Sequence, residues 1–394
     1  MTLPRPQGPA RRTPELAYYY VACTLGLEDV LAHELQTIGA QRVDIRRGAC
    51  AFEGDPITAY RACLWLRSAI RVQEELIRGP ARSREELYDL TSSVDWSLFI
   101  NANGTLAIDG SVRDCSWAND TRFPVLVVKD SICDQFRHFD GERPNVERDR
   151  PDLPLKLVLQ RDEAILYREL GGDPLHKRGY HEVQHKSPLN EALTAGLLQL
   201  SEWDPKTPLV DPMCGSSTFL IEAAWMAMDR APGLGRAFAF ERWKDTDQNA
   251  WQSAFDEAER RAIAGQDNCP LLSGNDNHDG AIVISKIAIK SAGLQGKIHL
   301  NLGDARDYKP PFEPAMICTN PPYGERLQAD DPSLTDSWTS LGNFLHTMEG
   351  SMAHVLCGAS ELTRHLGLRT NRKFPVRNGP IDCRWLRYEL GRRF

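Results

Sequence analysis

One short segment carries the most specific chemistry of the chain, the run TNPPYGERL from Thr319 to Leu327. Two consecutive prolines after an apolar stretch fix the backbone and remove two N–H donors, so carbonyl oxygens are left to accept. Asn320 adds a side-chain carbonyl and Tyr323 adds a flat apolar face. An acceptor pair beside a stacking surface suits the exocyclic amine of a planar base. The structural alternative is a rigid Pro-Pro turn with an exposed tyrosine.

Three further loops follow predicted strands and could bind a ligand. The loop DPMCGSST (residues 211–218) would direct backbone N–H groups of a helix start toward a ligand, with Gly215 allowing close approach. It does not match GxGxxG, and a turn that only caps the helix is the alternative. Asp276 and Asp304 end the next two strands. One carboxylate could accept from a ribose diol and the next from an adenine amino group, although aspartate is also common at strand ends and helix caps without any ligand.

The elements that must position these loops alternate as helix, strand, loop and helix from about Ser187 onward. This order predicts a doubly wound α/β domain with a parallel sheet, in which ligands bind beyond the carboxyl ends of the strands. Residues 373–391 are predicted to form a hairpin that turns at Asn378 and Gly379.

Two smaller α/β units are predicted upstream. The first begins at Tyr18 and has β-α-β-β-α-β character. The second contains a strand at 105–112, a strand edge running into a helix over 124–139, and two strands joined by a turn at 161–162. Residues 1 to about 16 are rich in proline and arginine and are predicted to be disordered.

Composition excludes several classes of protein. A chain of 394 residues suggests two or three domains, and 41% apolar with 26% charged residues indicates a folded chain. It lacks the run of roughly 18 apolar residues needed to cross a membrane, and its N-terminus lacks the apolar core of a secretory signal. The ten cysteines show no CxxC or Cys/His cluster. We therefore expect no metal, no disulfide framework and a cytoplasmic location.

The distribution of charge leaves two interpretations open. The net charge of −7 argues against a general nucleic-acid coat. Residues 361–394 nevertheless contain nine basic and three acidic residues. This basic end could contact phosphates, or it could be a solvated surface strand and tail.

The segments DPMCGSSTFLIEAA and TNPPYGERL together resemble class I S-adenosylmethionine-dependent methyltransferases that act on exocyclic amines. The segments LHKRGY, SPLNEAL and NGPIDC are similar to the bacterial THUMP-domain 23S rRNA guanine-N2 methyltransferases, the RlmL type. The resemblance runs from about Tyr18 to the C-terminus. It implies a tail over 1–17, a ferredoxin-like lobe over 18–67, a THUMP domain over 68–182 and a Rossmann-like methyltransferase domain over 183–394.

The resemblance also implies a role for particular residues. Contacts to S-adenosylmethionine are expected from Leu189 beside Pro188, and from Asp211, Pro212, Met213, Cys214, Gly215, Ser216, Thr218, Asp276, Asn277, Asp304 and Ala305. The target guanine, flipped from its helix, would be held by Asn320, Pro321, Pro322 and Tyr323. RNA contacts are expected from Lys177, Arg178, Arg372 and Lys373. The expected partner is 23S rRNA or an intermediate of large-subunit assembly.

Three departures from the family pattern carry expectations of their own. Ser217 replaces a usual glycine and should narrow the backbone approach to the cofactor. His278 replaces a usual second acid, which leaves Asp276 as the expected ribose ligand. Some relatives continue into a second methyltransferase domain; this chain ends at Phe394, so that activity is expected to be absent.

Other functions fit the same residues. Guanine-N2 methylation of tRNA would use the same chemistry, and adenine-N6 methylation of DNA or RNA would use the same acceptors. The N-terminal lobes favour RNA over DNA. A binding-only factor in rRNA assembly is the alternative from a different class.

Overall fold

The computed structural model describes residues 16–181, 189–324 and 332–391. Of the tail predicted over residues 1–17, residues 1–15 lie outside the described ranges, and Ala17 already begins the first strand. The described strands form two sheets, the first in the N-terminal half of the chain and the second in the C-terminal half.

The N-terminal sheet joins the two predicted small units. Its order is β2-β3-β1-β4-β8-β7-β5-β6, and β4 hydrogen bonds to both β1 and β8 in antiparallel register. The strands are β1 (Ala17–Cys23), β2 (Gln41–Arg46), β3 (Ala49–Gly54), β4 (Ala69–Pro80), β5 (Thr105–Arg113), β6 (Asn145–Val146), β7 (Leu153–Gln160) and β8 (Glu163–Glu169). The helices are α1 (Glu28–Thr37), α2 (Pro56–Trp65), α3 (Arg84–Ser92) and α4 (Arg122–Asp140).

The strand edge predicted within residues 124–139 is wrong, because α4 is helical throughout. Val128, Ile132 and Phe136 recur every four residues and are buried in the core of this unit. Burial of that helical face outweighs the strand preference of the valine-rich run at its start.

The C-terminal sheet has the order β11-β10-β9-β12-β13-β15-β14. Strands β9 to β13 pair in parallel, and β15 returns antiparallel to β13. The strands are β9 (Leu209–Asp211), β10 (Leu272–Asp276), β11 (Ile298–Leu302), β12 (Met316–Thr319), β13 (Met352–Cys357), β14 (Arg372–Asn378) and β15 (Ile381–Glu389). The helices are α5 (Glu191–Leu200), α6 (Thr218–Ala227), α7 (Gln248–Ala264), α8 (Asp279–Ser291) and α9 (Pro332–Thr347). This sheet confirms the doubly wound α/β prediction and the C-terminal hairpin.

The segment between α6 and β10, residues 228–271, packs against the N-terminal lobe. Phe240 stacks on Tyr60 of α2 with ring centroids 4.5 Å apart, and Trp243 lies 4.3 Å from the buried guanidinium of Arg168 on β8. The cluster that holds these side chains includes β1, β3 and α2. The two halves of the chain therefore share a hydrophobic core.

Within the described ranges, no helix is both long and apolar enough to cross a membrane.

Candidate functional site

A cavity of about 660 Å³ opens beyond the carboxyl ends of β9, β10, β11 and β12. Its volume is typical of small-molecule sites. It is lined by all the residues that the sequence predicted for cofactor and base: Leu189, Asp211, Pro212, Met213, Cys214, Gly215, Ser216, Thr218, Asp276, Asn277, Asp304, Ala305, Asn320, Pro321, Pro322 and Tyr323. The topology of the sheet thus brings four loops, separated in sequence, to one edge. Pro188 lies outside the described residues.

A hydrogen bond from its backbone links the first loop to the carboxylate at the end of β10. The Gly215 N–H donates to Oδ2 of Asp276 over 2.9 Å, and Gly215 has a φ of +52°. A Cβ atom at Gly215 would meet no heavy atom within 4 Å. The loop therefore presents bare backbone to open space, as close approach of a ligand requires.

Ser217 does not narrow this approach. It is fully buried with a φ of +62°, and its hydroxyl donates to Ser285 Oγ of α8 over 2.9 Å instead of capping α6. Ser285 in turn donates to the Gly215 carbonyl over 2.6 Å. The left-handed backbone explains why glycine would be preferred at this position. The expectation from sequence is wrong, because the side chain points away from the cavity and ties the loop to α8.

Asp211 is 2% exposed at the end of β9, and Met213 N–H donates to its carboxylate over 3.1 Å. Burial raises the pKa of the Asp211 carboxyl to about 7, and the nearby charge of Asp276 acts in the same direction. A desolvated acid with a pKa near neutrality is common at functional sites.

The other two acids accept backbone donors from their own loops. Asp276 binds the His278 N–H through Oδ1 over 3.0 Å, in addition to Gly215 through Oδ2. Asp304 accepts from Ser340 Oγ over 2.6 Å and from the Arg306 N–H over 2.9 Å. Burial opposes ionisation of Asp304, but these hydrogen bonds and the Arg306 guanidinium hold its pKa below the usual range.

The segment after β12 supplies an acceptor and a ring. Oδ1 of Asn320 is buried and has no hydrogen-bond partner among the described residues. The Pro322 carbonyl accepts from Trp338 Nε1 over 2.8 Å, which fixes the turn against α9. The Tyr323 hydroxyl accepts from Asn378 Nδ2 over 2.7 Å. An unpaired buried acceptor is costly, so a donor from beyond the described residues would stabilise this oxygen.

Sequence reasoning assigned no role to several residues at the site. Asn378 and Gly379 line the cavity from the hairpin tip, and the segment NGPIDC that contains them was the available signal. His181 bridges Glu191, at 2.9 Å from Nδ1, and Thr218, at 3.4 Å from Nε2. Its place in a basic turn gave no sign of this contact.

The four predicted RNA-binding residues lie in different environments. Arg178 is 7% exposed, donates to the carbonyls of Leu175 and Arg67, and lies 3.6 Å from Glu222. It is part of the core between the two halves of the chain, so its prediction as an RNA contact is wrong. Lys177, Arg372 and Lys373 are exposed.

No group of three or more His, Cys, Asp or Glu side chains in the described ranges could hold a metal ion.

Comparison with protein families places the chain. The family described as "RMKL-like, methyltransferase domain" matches residues 178–387, and the chain belongs to it. A family model of the RlmL ferredoxin-like domain matches residues 19–73, and a THUMP-domain model matches 81–169. These matches confirm the predicted family resemblance and the predicted fold class.

Individual relatives agree with this placement. The chain is 36% identical over 382 residues to the "Ribosomal RNA large subunit methyltransferase K/L" of Syntrophotalea carbinolica, covering 94% of this chain and 53% of that protein. The chain thus spans about half the length of the curated relatives it matches. The crystal structure of SMU.472 complexed with SAH shares 26% identity and a TM-score of 0.86, covering 97% of this chain and all of that chain. A "predicted N6-adenine-specific DNA methylase" from Listeria monocytogenes shares 27% identity and a TM-score of 0.84, covering 96% of this chain and 97% of that chain.

Proposed function

We propose that this protein transfers the methyl group of S-adenosylmethionine to the exocyclic N2 amine of a guanine in 23S rRNA. The observation that carries the proposal is the buried Oδ1 of Asn320, which has no hydrogen-bond partner within the described ranges and lies beside the Tyr323 ring. The rRNA substrate is supported by the name of the curated relative and by the match to a THUMP domain. An assembly intermediate remains part of the proposal as an alternative form of the same substrate.

The exocyclic amine of guanine is a weak nucleophile, because its lone pair is delocalised into the ring. Asn320 Oδ1 and the Pro321 carbonyl would accept its two hydrogens and direct the lone pair toward the methyl donor. The Pro322 carbonyl is already bound by Trp338, so it fixes the turn. Tyr323 would stack on the flipped base. These residues position the amine and need not remove a proton before transfer.

The opposite end of the cavity fits the cofactor. S-adenosylmethionine supplies an electrophilic methyl group on a sulfonium centre. The exposed backbone at Gly215 allows close approach, and Asp276 is the proposed acceptor for the ribose hydroxyls. Asp304 and Ala305 would contact the adenine, with Leu189 closing the side of the site. The remaining residues predicted for the cofactor from 211 to 218 and at Asn277 would complete this surface.

The first experiment measures methyl transfer from labelled S-adenosylmethionine to unmodified 23S rRNA, bulk tRNA and duplex DNA, with the product nucleoside identified by mass spectrometry. We expect N2-methylguanosine in 23S rRNA alone. N2-methylguanosine in tRNA would overturn the substrate and keep the mechanism, whereas methyladenine would overturn the assignment of the base. Cofactor binding by calorimetry without transfer to any substrate would leave an assembly intermediate to test. No cofactor binding would favour a binding-only factor.

Replacing the unpartnered acceptor tests the mechanism. Asn320→Ala should lower the transfer rate about 100-fold or more, as loss of a polar transition-state contact does. Asn320→Asp keeps an acceptor oxygen and should retain more activity than the alanine variant. Calorimetry with S-adenosylmethionine is the control, since the cofactor should bind both variants. Near-full turnover by Asn320→Ala with cofactor binding intact would show that this acceptor is not used.

A further inference from the structure

A second cavity, of about 570 Å³, lies on one face of the C-terminal hairpin. We name it the hairpin groove; its walls include Lys373, Pro375, Arg377, Arg384, Leu386 and Gly358. The loop at Leu25–Gly26 of the N-terminal lobe also lines the groove, and the Arg377 N–H donates to the Leu25 carbonyl over 3.1 Å. The groove is therefore built where the two halves of the chain meet.

The strand register places the basic side chains of the groove on one face. Lys373 pairs with Leu386, Pro375 with Arg384, and Arg377 with Asp382. Side chains of directly opposed residues in an antiparallel pair share a face, and alternate residues share it along each strand. Phe374 and Trp385 face the opposite side and pack in the core.

The adjacent Arg372 does not belong to the groove. It shares the opposite face with Phe374, on whose ring its guanidinium stacks at 4.5 Å, and it lies 3.8 Å from Glu202. The basic C-terminal segment predicted from sequence is thereby divided into two surfaces. Lys373 and Arg372, although adjacent in sequence, point to different surroundings.

The groove is positively charged on a protein of net charge −7. Three cationic side chains line it, and Asp382 is the acid among its described lining residues. Asp382 lies 3.6 Å from Arg377, whereas Lys373 and Arg384 are exposed. A local excess of positive charge along a groove favours a phosphate backbone.

The groove adjoins the candidate active site. Gly358 lines the groove, and a Cβ atom there would lie 2.5 Å from Cδ2 of Tyr323, so the tyrosine ring rests directly on its backbone. At the hairpin tip, Asn378 and Gly379 line the active-site cavity while Arg377 lines the groove. The Tyr323 ring and the turn at Asn378 thus lie between the two cavities.

We propose that the hairpin groove binds the sugar-phosphate backbone of the single-stranded RNA next to the flipped guanosine, with Lys373 and Arg384 as its principal phosphate contacts. This inference rests on the proposed function. A base flipped into the cavity leaves its neighbouring nucleotides to pass over the hairpin tip, and the groove begins there. The Gly358 backbone under Tyr323 lets the groove approach the base pocket closely.

The test compares two charge-matched double variants. Lys373→Gln/Arg384→Gln neutralises the groove, and Arg364→Gln/Arg369→Gln removes two exposed charges that do not line it. Binding of an unmodified 23S rRNA transcript is measured by filter binding over a series of salt concentrations. Methyl transfer to the same transcript gives KM and kcat, and calorimetry with S-adenosylmethionine reports on folding.

We expect the groove variant to raise the KM for RNA about tenfold and to reduce the salt slope of binding by about 1.4, since each phosphate contact to a single strand contributes about 0.7. Its kcat and cofactor affinity should stay within about twofold of the parent protein, because these cations are proposed to bind phosphate and touch no reacting atom. An unchanged salt slope in the groove variant would contradict the proposal that the groove binds RNA. An equal loss of RNA affinity in the control variant would contradict it as well. If the parent protein binds RNA but transfers no methyl group, the proposed function fails, and the slopes still decide whether the groove binds RNA.

Discussion

At the scale of single residues, the position of the Tyr323 ring depends on a contact from a distant turn. Asn378 Nδ2 donates to the Tyr323 hydroxyl over 2.7 Å, while the ring itself rests on Gly358. The hydrogen bond at the hydroxyl thus fixes the plane of the ring, and the ring face is the proposed stacking surface for the base. Asn378 is a positioning residue, since it acts through the tyrosine.

We expect Asn378→Ala and Tyr323→Phe each to lower kcat about fivefold to tenfold, the usual worth of one neutral hydrogen bond. The double variant should lose no more than either single variant, because both remove the same interaction. Tyr323→Ala should cost more, since stacking is also lost. Additive losses in the double-mutant cycle would show that Asn378 acts by another route.

The buried carboxyl of Asp211 predicts a dependence of stability on pH. Its pKa of about 7 in the folded protein lies above its ordinary value of 3.8, so the folded state holds a proton that the unfolded state has released between these values. Stability is therefore lost as pH rises from about 4 to 7. At about 1.4 kcal/mol for each tenfold change in the ionisation constant, the loss approaches about 4 kcal/mol.

Asp211→Asn keeps an acceptor for Met213 and removes the charge. Its free energy of unfolding relative to the parent should rise steadily from pH 4 to pH 7 and level off above. Denaturant titrations at pH 5, 6, 7 and 8 measure this difference, with Asp307→Asn as an exposed control expected to stay within about 0.5 kcal/mol. A difference that is constant with pH would mean that Asp211 is ionised throughout this range.

At the scale of elements, the segment from 228 to 271 holds the N-terminal lobe by packing and by an ion pair. Phe240 is 1% exposed and stacks on Tyr60, and Arg61 of α2 binds Glu257 of α7 over 2.7 Å. Phe240→Ala should lower the free energy of unfolding by about 3–5 kcal/mol, as loss of a buried aromatic ring does. Ile263→Ala on α7, where the side chain is 68% exposed, should change it by less than about 0.5 kcal/mol. Equal effects would mean that stacking of Phe240 on Tyr60 adds no stability.

The elements also show what local sequence can predict. The strand ends at Asp211, Asp276 and Asn320 follow apolar runs with turn residues after them, so the loops of the site could be predicted together. The direction of the Ser217 side chain could not, because it depends on Ser285, 68 residues further along the chain. Local patterns carry no information on such distant partners.

Docking of the 228–271 segment was beyond prediction for the same reason. Trp243 and Trp251 were visible in the sequence, but an aromatic residue fits any core equally well. Only the fold shows that their partners are on α2 and β8. The prediction for α4 was wrong for a different reason. Its valines favour a strand locally, but burial of one helical face determines that the segment is a helix.

At the scale of the whole molecule, two contacts join the N-terminal lobe to the methyltransferase domain. Glu34 accepts from the backbone of Arg67 and Ser68 and from Gln199 Nε2 on α5 at 2.8–3.0 Å. Gly26, with a φ of +93°, packs on the Pro375 carbonyl of the hairpin so closely that a Cβ atom would overlap it. The lobe therefore rests directly on the hairpin that bears Asn378 and the groove.

Two glycine variants separate the effect of the contact between Gly26 and the hairpin from the backbone strain of replacing any left-handed glycine. Gly26→Ala and Gly39→Ala both force alanine into a left-handed backbone, at about 1–2 kcal/mol, but only the methyl group at 26 meets another element. Gly26→Ala should therefore displace the hairpin and raise the KM for 23S rRNA several-fold, while cofactor affinity is kept. Gly39→Ala, which faces open space, should lower stability and leave KM unchanged. If both variants raise KM alike, the lobe influences substrate binding through overall stability and not through the hairpin.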